Sequence, residues 1–257
     1  MSDQDNNVCI TAVASDRLDE AAAFAAANDL PFCSDCDAAL QLRFDEQGLS
    51  LYDRELDASI AIDFLKGAVA HRERFGGGKG QAIAKAIGLN RYDSPSVMDV
   101  TAGLARDAWV LATLGCRMTL LERSAVLCAM ITAAVEQARS DNGSGTVDNI
   151  IDVLQKDSIE HLASLESPAL PDVIYMDPMY PERNKSALVK KDMQVLHKLI
   201  GATPDESELL EWAKRQAKRR VVVKRPAGAP CVAGLTPSHQ INSKKTRYDV
   251  YMTDTSA

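Results

Sequence analysis

Polar groups suited to a ligand recur at the ends of four predicted strands. In chain order they are the turn 99–103, Glu122, Asp157 with Ser158, and Asp177. The carboxyl ends of parallel strands meet at one edge of a sheet, so this spacing predicts that the four groups gather at a single site. Carboxylates accept hydrogen bonds from hydroxyl and amino groups, and a ligand that carries such groups is expected there.

The first strand end is a turn of small residues, 99–103, and the helix after it begins with Arg106 and Asp107. Small side chains let a ligand approach the backbone amides, and the helix dipole favours an anionic group such as a carboxylate. Only Gly103 remains of the dinucleotide-binding pattern G-x-G-x-x-G, so a purely structural turn is the alternative.

The next two strand ends could contact a nucleoside. Glu122 comes nineteen positions after Gly103, close to the roughly 20-residue spacing at which an acidic residue meets ribose hydroxyls. A nicotinamide dinucleotide and S-adenosylmethionine would both use it in this way, whereas a surface pairing with Arg123 is the alternative. Asp157, followed by Ser158, could accept a hydrogen bond from an adenine amine, cap the next helix, or do both.

The fourth strand end carries residues 177–181, DPMYP, directly after the apolar run 173–176. It resembles the [DN]-P-P-[YF] motif of methyltransferases that modify exocyclic amines, with Met179 in place of the second proline. The lone pair of a base amine is delocalised into the ring, so acceptors must hold both N–H bonds while the nitrogen receives a methyl group. The carboxylate of Asp177 and the carbonyl of Pro178 could be these acceptors, and Tyr180 offers a flat face to an unstacked base.

Hydrophobic periodicity predicts an α/β fold from residue 96 onward, with a doubly wound, mostly parallel Rossmann-like sheet. The resemblance of residues 177–181 to amine methyltransferases implies that this sheet is of the class I S-adenosylmethionine-dependent methyltransferase type. Strands are expected at 97–100, 117–121, 151–154, 173–176 and 220–223, and helices at 106–113, 124–139, 158–165 and 206–217. Two last strands within 240–252 flank a polar turn at 244–246. No crossover helix separates these two strands, so they must pair antiparallel.

The first 65 residues predict a small α/β appendage. It comprises a strand at 8–13, a helix at 18–28 capped near Ser15 or Asp16, and a hairpin of strands 39–44 and 49–52. A basic helix over 66–75 and the glycine-rich segment 76–80 would connect it, within a connector of 66–95, to a methyltransferase domain over 96–257. Gly80 stands where a P-loop needs Ser or Thr, so the segment predicts a phosphate cradle or a hinge rather than an ATP site.

Charge is distributed unevenly along the chain. The net charge is -7, which is unusual for a protein that grips a polyanion. Residues 1–65 hold three basic and fourteen acidic side chains, whereas residues 183–225 hold twelve basic and five acidic ones. This asymmetry predicts an acidic front segment and a rear face that could hold nucleic acid, with solvated helix faces as the alternative.

Composition favours a cytoplasmic protein. No apolar run approaches the roughly 20 residues of a membrane span, and the acidic first residues lack the positive region of a signal peptide. The six cysteines are scattered like small buried residues rather than a disulfide framework. Cys33 and Cys36 form a CxxC, but no second pair completes a zinc site, so a plain loop pair and no metal are expected.

With these residues in view, the sequence closely resembles the ribosomal RNA small subunit methyltransferase J family, bacterial enzymes that methylate N2 of one guanosine in 16S ribosomal RNA. The matching segments succeed one another over most of the chain: 63–64, 71–72, 75–78, 101–104, 106–107, 121–123, 175–181, 185–191, 221–226 and 247–249. The resemblance implies S-adenosylmethionine as the cofactor, and 16S ribosomal RNA or the small ribosomal subunit as the partner.

The resemblance also assigns site residues. It implies that the cofactor site is lined by Arg106, Asp107, Glu122, Arg123, Asp157, Ser158 and Asp177. The small-residue turn 99–103 adds Gly103 to this set. The phosphate contacts expected from the basic tracts are Lys185, Lys190, Lys191, Lys224 and Arg225. Two positions depart from the family pattern, because Ala105 stands where glycine is usual and Asp157 where a small residue is common.

Other interpretations of the same residues stay open. An oxidoreductase would share Gly103 and Glu122, but it would leave the segment 177–181 without a role. A 5-methylcytosine enzyme would need a cysteine nucleophile, and Cys231 comes after a different strand. Adenine N6 is the alternative target, because the motif binds an amino group but does not specify which base carries it. A non-catalytic RNA-binding assembly factor is the alternative of a different class.

Overall fold

The computed structural model describes residues 7–46, 48–67, 77–142, 150–179, 191–201 and 205–253. The chain divides into two compact units. Unit 1 comprises Met1–Asp63, Arg123–Gln137 and Arg183–Ala202; unit 2 comprises Phe64–Glu122, Ala138–Glu182 and Thr203–Ala257. Two later segments group with the N-terminal residues, so the domain boundaries expected from the sequence remain a prediction.

Unit 1 contains a four-stranded sheet in the order β1-β2-β3-β4, in which β1 and β2 are parallel and the other neighbours antiparallel. The hairpin expected after residue 39 is confirmed, with Asp45 paired to Gly48 across its turn. The helix α6 packs against β3 and β4, and neither α6 nor β4 was expected from the sequence. The elements are β1 (Val8–Ala12), α1 (Leu18–Ala27), β2 (Leu40–Asp45), β3 (Gly48–Asp53), β4 (Ala58–Ala61) and α6 (Lys191–Ile200).

Two local expectations in unit 1 were wrong. Ser15 and Asp16 lie in a short 3-10 turn before α1, and the capping position is Arg17, which makes no side-chain cap hydrogen bond. Cys36 forms a disulfide with Cys9 rather than a loop pair with Cys33. The chain returns beside β1 after α1, where the Cys33 amide donates to the Ile10 carbonyl, so Cys36 comes close to Cys9. Cys33 is a free, exposed thiol.

Unit 2 contains a seven-stranded sheet in the order β10-β11-β9-β8-β5-β6-β7. Strands β5 to β9 are parallel to one another, whereas β11 pairs antiparallel with both β9 and β10, which confirms the expected sheet with its antiparallel last strands. Its strands are β5 (Ser96–Asp99), β6 (Arg117–Glu122), β7 (Ile151–Gln155), β8 (Val173–Met176), β9 (Arg220–Pro226), β10 (His239–Asn242) and β11 (Thr246–Met252).

Helices connect these strands as the periodicity predicted. They are α3 (Arg106–Thr113), α4 (Ala125–Asn142), α5 (Ser158–Ser164) and α7 (Glu206–Gln216), and α4 begins in unit 1 and ends in unit 2. A further helix, α2 (Ala82–Ile87), precedes β5. Strands buried on both faces need continuous apolar runs, and all four residues of β8 are buried. Leu162 of α5 and Leu209 of α7 pack in the core with Ile174 and Met176, which share one face of β8.

The strand order reverses between β5 and β8. The chain adds β6 and β7 on one side of β5, then β8 and β9 on the other. The loops after β5 and β8 therefore leave the sheet in opposite directions, and a crevice opens at the carboxyl ends of these two strands, where open α/β sheets bind their ligands. Among the described residues, none of the helices is long and apolar enough to cross a membrane. The basic helix expected over 66–75 falls almost entirely outside the described ranges.

The turn after β5 contains two left-handed residues. Gly103 has a φ of 52° and Ala105 a φ of 53°. The Ala105 amide donates to the Ala102 carbonyl at 2.7 Å, which tightens the turn before α3 begins. A left-handed conformation costs a residue with a Cβ about 1–2 kcal/mol, a cost that glycine, the residue that the resemblance implies at position 105, does not carry.

We expect Ala105→Gly to change the free energy of unfolding by less than about 1 kcal/mol. Relief of the left-handed strain offsets the lost methyl burial, about 0.8 kcal/mol, and the added backbone entropy, about 0.5–1 kcal/mol. Ala108→Gly is the matched control inside α3, where the methyl is fully buried and no strain is relieved, so it should cost about 1.5–2 kcal/mol. Urea unfolding of both variants checks this; equal losses would contradict it.

Candidate active site

A lysine between two carboxylates lies at the point where the strand order reverses. Lys224 Nζ on β9 is 2.8 Å from Asp107 Oδ2, near the start of α3, and 2.7 Å from Asp177 Oδ2, directly after β8. The Asp107 side chain is 9% exposed and that of Asp177 is 39% exposed. The ion pairs therefore connect the start of α3 to the residue that follows β8, and the Asp177 carboxylate remains partly accessible to solvent.

Tyr175 is the fourth member of this cluster. Its side chain is buried in β8, and its hydroxyl donates to Asp107 Oδ2 at 2.6 Å. Burial and the nearby charge of Asp107 raise the pKa of Tyr175 well above its ordinary value, so the hydroxyl keeps its proton. Burial lowers the pKa of Lys224, but the charges of Asp107 and Asp177 outweigh this, and the net shift is upward. Lys224 is therefore a permanent cation here.

Asp99 is a third carboxylate of the site, and its position in the sequence indicates no role beyond its place in the turn. It is 2% exposed at the end of β5 and accepts from the amide and hydroxyl of Thr101 at 3.0 and 3.3 Å. The Thr101 hydroxyl also accepts from the Asp177 amide at 2.6 Å. Burial, with smaller contributions from the charges of Asp177 and Asp107, raises the pKa of Asp99 to about 7. The sequence pattern that could have identified Asp99 as a site residue is an acidic side chain at the end of a strand, followed by a turn of small residues.

Glu122 and Gly103 come together as their spacing predicted. Glu122 is buried at the end of β6, and its Oε2 accepts from the Gly103 amide at 3.2 Å. A carboxylate of this kind holds the turn and can also accept from a ligand hydroxyl, because each oxygen has two lone pairs. Glu122 thus lies beside the turn on the side of β6, whereas Asp177 lies on the side of β8.

Asp157 is the N-cap of α5. It accepts from the amides of Ile159 and Glu160 at 2.9 and 3.1 Å, which confirms the capping role. Ser158 is buried and donates to the Val100 carbonyl at 2.7 Å, so its hydroxyl ties the end of β5 to α5. The expected adenine contact of Asp157 remains a proposal.

The remaining expected residues are placed differently. Arg106 is exposed at the first turn of α3. Arg123 belongs to unit 1, where it donates to the Ile200 carbonyl at 2.7 Å. Lys191, also in unit 1, donates to the Leu56 carbonyl at 2.9 Å. Pro178 is buried directly after Asp177. Tyr180, Lys185 and Lys190 lie outside the described residues.

Two expected phosphate contacts are already neutralised by carboxylates. Lys224 lies in the cluster, and Arg225, 3% exposed, pairs with Glu206 at 2.9 Å and donates to the Pro230 carbonyl. A guanidinium held this way cannot reach a phosphate without losing its ion pair and its backbone hydrogen bond. The structure therefore argues for internal roles for both residues.

The charge of the cluster suits a cationic ligand. Lys224 contacts Asp107 and Asp177, and the charges of these two carboxylates raise the pKa of nearby Asp99, so the three carboxylates together make the site attractive to positive charge. Among the described residues, no group of three or more His, Cys, Asp or Glu side chains is arranged to hold a metal ion. A ligand that brings positive charge, and hydroxyls for Glu122, would offset the repulsion among the three carboxylates.

Comparison with known proteins agrees with this geometry. A family model described as a putative SAM-dependent methyltransferase matches residues 24–253. A protein of Pseudoalteromonas translucida named ribosomal RNA small subunit methyltransferase J is 48% identical over 222 residues, which cover 85% of this chain and 87% of that protein. A protein of the same name from Pseudomonas syringae is 43% identical over 248 residues, covering 96% and 91%.

The chain belongs to the ribosomal RNA small subunit methyltransferase J family. A solved structure of a SAM-dependent methyltransferase from Neisseria gonorrhoeae is also similar, with a TM-score of 0.75, 30% identity and 97% of each chain covered. The protein is therefore an S-adenosylmethionine-dependent methyltransferase with the class I fold. Its cluster fits this cofactor, because a sulfonium and an ammonium group are cations and a ribose brings two hydroxyls.

We expect Asp157→Ala to weaken binding of S-adenosylmethionine. Asp205 caps α7 with the same geometry, accepting from the amides of Ser207 and Glu208, and it provides the matched control. Each substitution should cost about 1 kcal/mol of stability from the lost cap, but only Asp157→Ala should raise the dissociation constant, by several-fold. Calorimetry with the cofactor checks this, and equal affinities of the two variants would limit Asp157 to capping.

Asp99 should make the stability of the protein depend on pH. Its pKa is about 7 in the folded protein against 3.8 ordinarily, so the folded state binds this proton more tightly between those values. The free energy of unfolding therefore decreases as pH rises through that window and levels off above it. Asp99→Asn keeps an oxygen for Thr101 but does not titrate.

The stability of the variant relative to the wild type should accordingly increase as pH rises from about 4 to about 7 and stay constant above that. Urea unfolding of both proteins without cofactor measures the difference. Parallel pH curves for the two proteins would show that Asp99 does not titrate in this range.

Proposed function

We propose that the protein methylates the exocyclic N2 amine of a guanosine in 16S ribosomal RNA. The observation that carries this proposal is the position of Asp177: it ends β8 beside the strand-order reversal, its side chain is partly exposed, and Lys224 holds its carboxylate. The names of the relatives support a small-subunit ribosomal RNA as the substrate. The resemblance of residues 177–181 to the motif of amine methyltransferases supports the amino group as the target.

Asp177 would accept a hydrogen bond from one N–H group of the base amine, and the Pro178 carbonyl would accept a hydrogen bond from the other. These two bonds orient the nitrogen lone pair toward the methyl donor, so most of the rate enhancement comes from positioning. S-adenosylmethionine supplies the methyl group on a sulfonium that leaves as a neutral thioether. Tyr180 is proposed to stack on the extruded base, as the motif suggests.

Lys224 would keep Asp177 in the state that the reaction needs. Burial raises the pKa of Asp177, the cation of Lys224 lowers it, and Asp107 raises it, with a net upward shift. Lys224 therefore opposes protonation and fixes Oδ2, which leaves the other oxygen for the amine. The raised pKa also makes Asp177 a suitable base for the proton that the methylated amine releases.

The partner would be 16S ribosomal RNA, free or in the small ribosomal subunit, and the reaction would therefore take place in the cytoplasm. The basic segment 185–191 remains a proposed phosphate contact. For the cofactor, Gly103, Asp107 and Glu122 have the clearest geometry, with Arg106 and Ser158 beside them in unit 2.

The direct test is transfer of labelled methyl groups to small ribosomal subunits that lack the modification. RNA digestion and mass spectrometry should identify N2-methylguanosine. Asp177→Ala should reduce the rate by at least about 100-fold, because it removes an acceptor made for the reacting amine. Asp172→Ala is the matched control: Asp172 precedes the same strand at its opposite end, where it pairs with Arg219. Its effect should be on stability rather than on rate.

Each other outcome has a definite meaning. N6-methyladenosine would keep the mechanism and refute guanine as the base. Methylation that persists in Asp177→Ala would refute the role of the carboxylate. Cofactor binding without transfer to subunits or free 16S RNA would refute the proposed substrate and favour a binding role.

A further inference from the structure

Several basic side chains of unit 2 are bound to carboxylates or lie away from the active site. Lys224 and Arg225 are bound to carboxylates, and Arg247 is buried against Asp249 at 2.8 Å. The run 214–219 precedes β9, at the amino end of the sheet. There Lys218 donates to the Pro168 carbonyl and Arg219 pairs with Asp172. This run faces away from Asp177, which lies at the carboxyl ends of the strands.

The turn between β10 and β11 lies at the same edge of the sheet as the active site. β11 runs antiparallel to β9, with Thr246 paired to Pro226 and Tyr248 paired to Lys224. Residues that precede Thr246 therefore extend past the carboxyl end of β9. The Ala227 amide donates to the Lys245 carbonyl at 3.1 Å, which anchors the turn to the loop after β9.

Lys244 and Lys245 form the tip of this turn. Both are exposed, and neither makes an ion pair with any residue in the described part of the chain. The turn itself is well held: the Ser243 amide donates to the Thr246 carbonyl at 2.8 Å, and the Ser243 hydroxyl is 2.7 Å from that of Thr246. Two cations are thus presented on a fixed hairpin instead of a loose loop.

The sheet geometry gives the distance from the chemistry. Asp177 is level with Lys224 and hence with Tyr248, two strands away. With strands about 4.8 Å apart and a rise of about 3.3 Å per residue, the Cα of Lys245 lies about 14 Å from that of Asp177. An RNA strand whose target base enters the site would pass the hairpin with a flanking phosphate.

We propose that Lys244 and Lys245 form a phosphate-binding surface for the RNA strand that flanks the methylated nucleotide. This inference rests on the proposed function and adds to it the part of the chain that grips the substrate. Lysines act on phosphates as mobile point charges, which suits a contact that does not depend on sequence.

The test measures binding of the full-length protein to unmodified 16S ribosomal RNA by filter binding at several salt concentrations. The double variant Lys244→Ala/Lys245→Ala should bind about 5- to 20-fold more weakly near physiological salt. Its log–log salt slope should be smaller by about 1–2, since each phosphate contact contributes about 0.7–0.9 to the slope. Cofactor affinity and thermal stability should not change.

Two further variants separate charge from other effects. Lys244→Arg/Lys245→Arg should keep the affinity, because it keeps both charges. Arg215→Ala/Lys218→Ala removes two charges from the opposite edge of the sheet and should change the affinity by less than about twofold. Equal losses in the two alanine pairs, or no loss in the hairpin pair, would overturn the inference.

The outcome is distinguishable from failure of the proposed function. If Lys244→Ala/Lys245→Ala loses RNA affinity but the wild type transfers no methyl group, the phosphate-binding surface is supported and the proposed reaction is refuted. If the wild type methylates RNA and Lys244→Ala/Lys245→Ala does so with an unchanged KM, the proposed reaction is supported and the phosphate-binding surface is refuted.

Discussion

The ion pairs of Lys224 with Asp107 and Asp177 are the interaction on which the site depends. They join residues that are 117 and 47 positions apart in the chain, from a helix start, a strand end and a strand. Without the lysine, two carboxylates would face each other beside a third, Asp99, and such a group cannot stay fully ionised. Lys224 therefore sets both the shape of the site and its charge.

The cluster remains electrostatically unbalanced, and this imbalance is useful. The charges of Asp177 and Asp107 contribute to the raised pKa of Asp99, so the three carboxylates repel one another in the protein without ligand. A cationic cofactor relieves the same repulsion, so part of its binding free energy comes from charges that are already fixed in place. Strain of this kind is typical of functional sites, where affinity is gained at the expense of stability.

The basic residues illustrate how much tertiary position changes the meaning of a sequence. Residues 183–225 carry a strong excess of basic side chains, yet these fall into separate groups. Lys224 and Arg225 neutralise carboxylates, 214–219 lie at the far edge of the sheet, and Lys191 binds a backbone carbonyl in unit 1. The exposed cations at the active edge include Lys244 and Lys245, which belong to a different segment.

Local sequence patterns were enough to predict the α/β class, nearly every strand and helix of unit 2, the cap at Asp157 and the strand ends that carry polar groups. They also identified the DPMYP segment, whose residue types suit the chemistry of a base amine. They did not predict β4, α6, the partner of Cys36 or the roles of Asp99, Lys224 and Arg225. Periodicity reports which face of an element is buried, and motif spacing reports which residues come after a strand. Neither reports which strands become neighbours. Only the order β9-β8-β5-β6 brings Lys224 between Asp107 and Asp177, because that contact is made across the sheet by residues far apart in the chain.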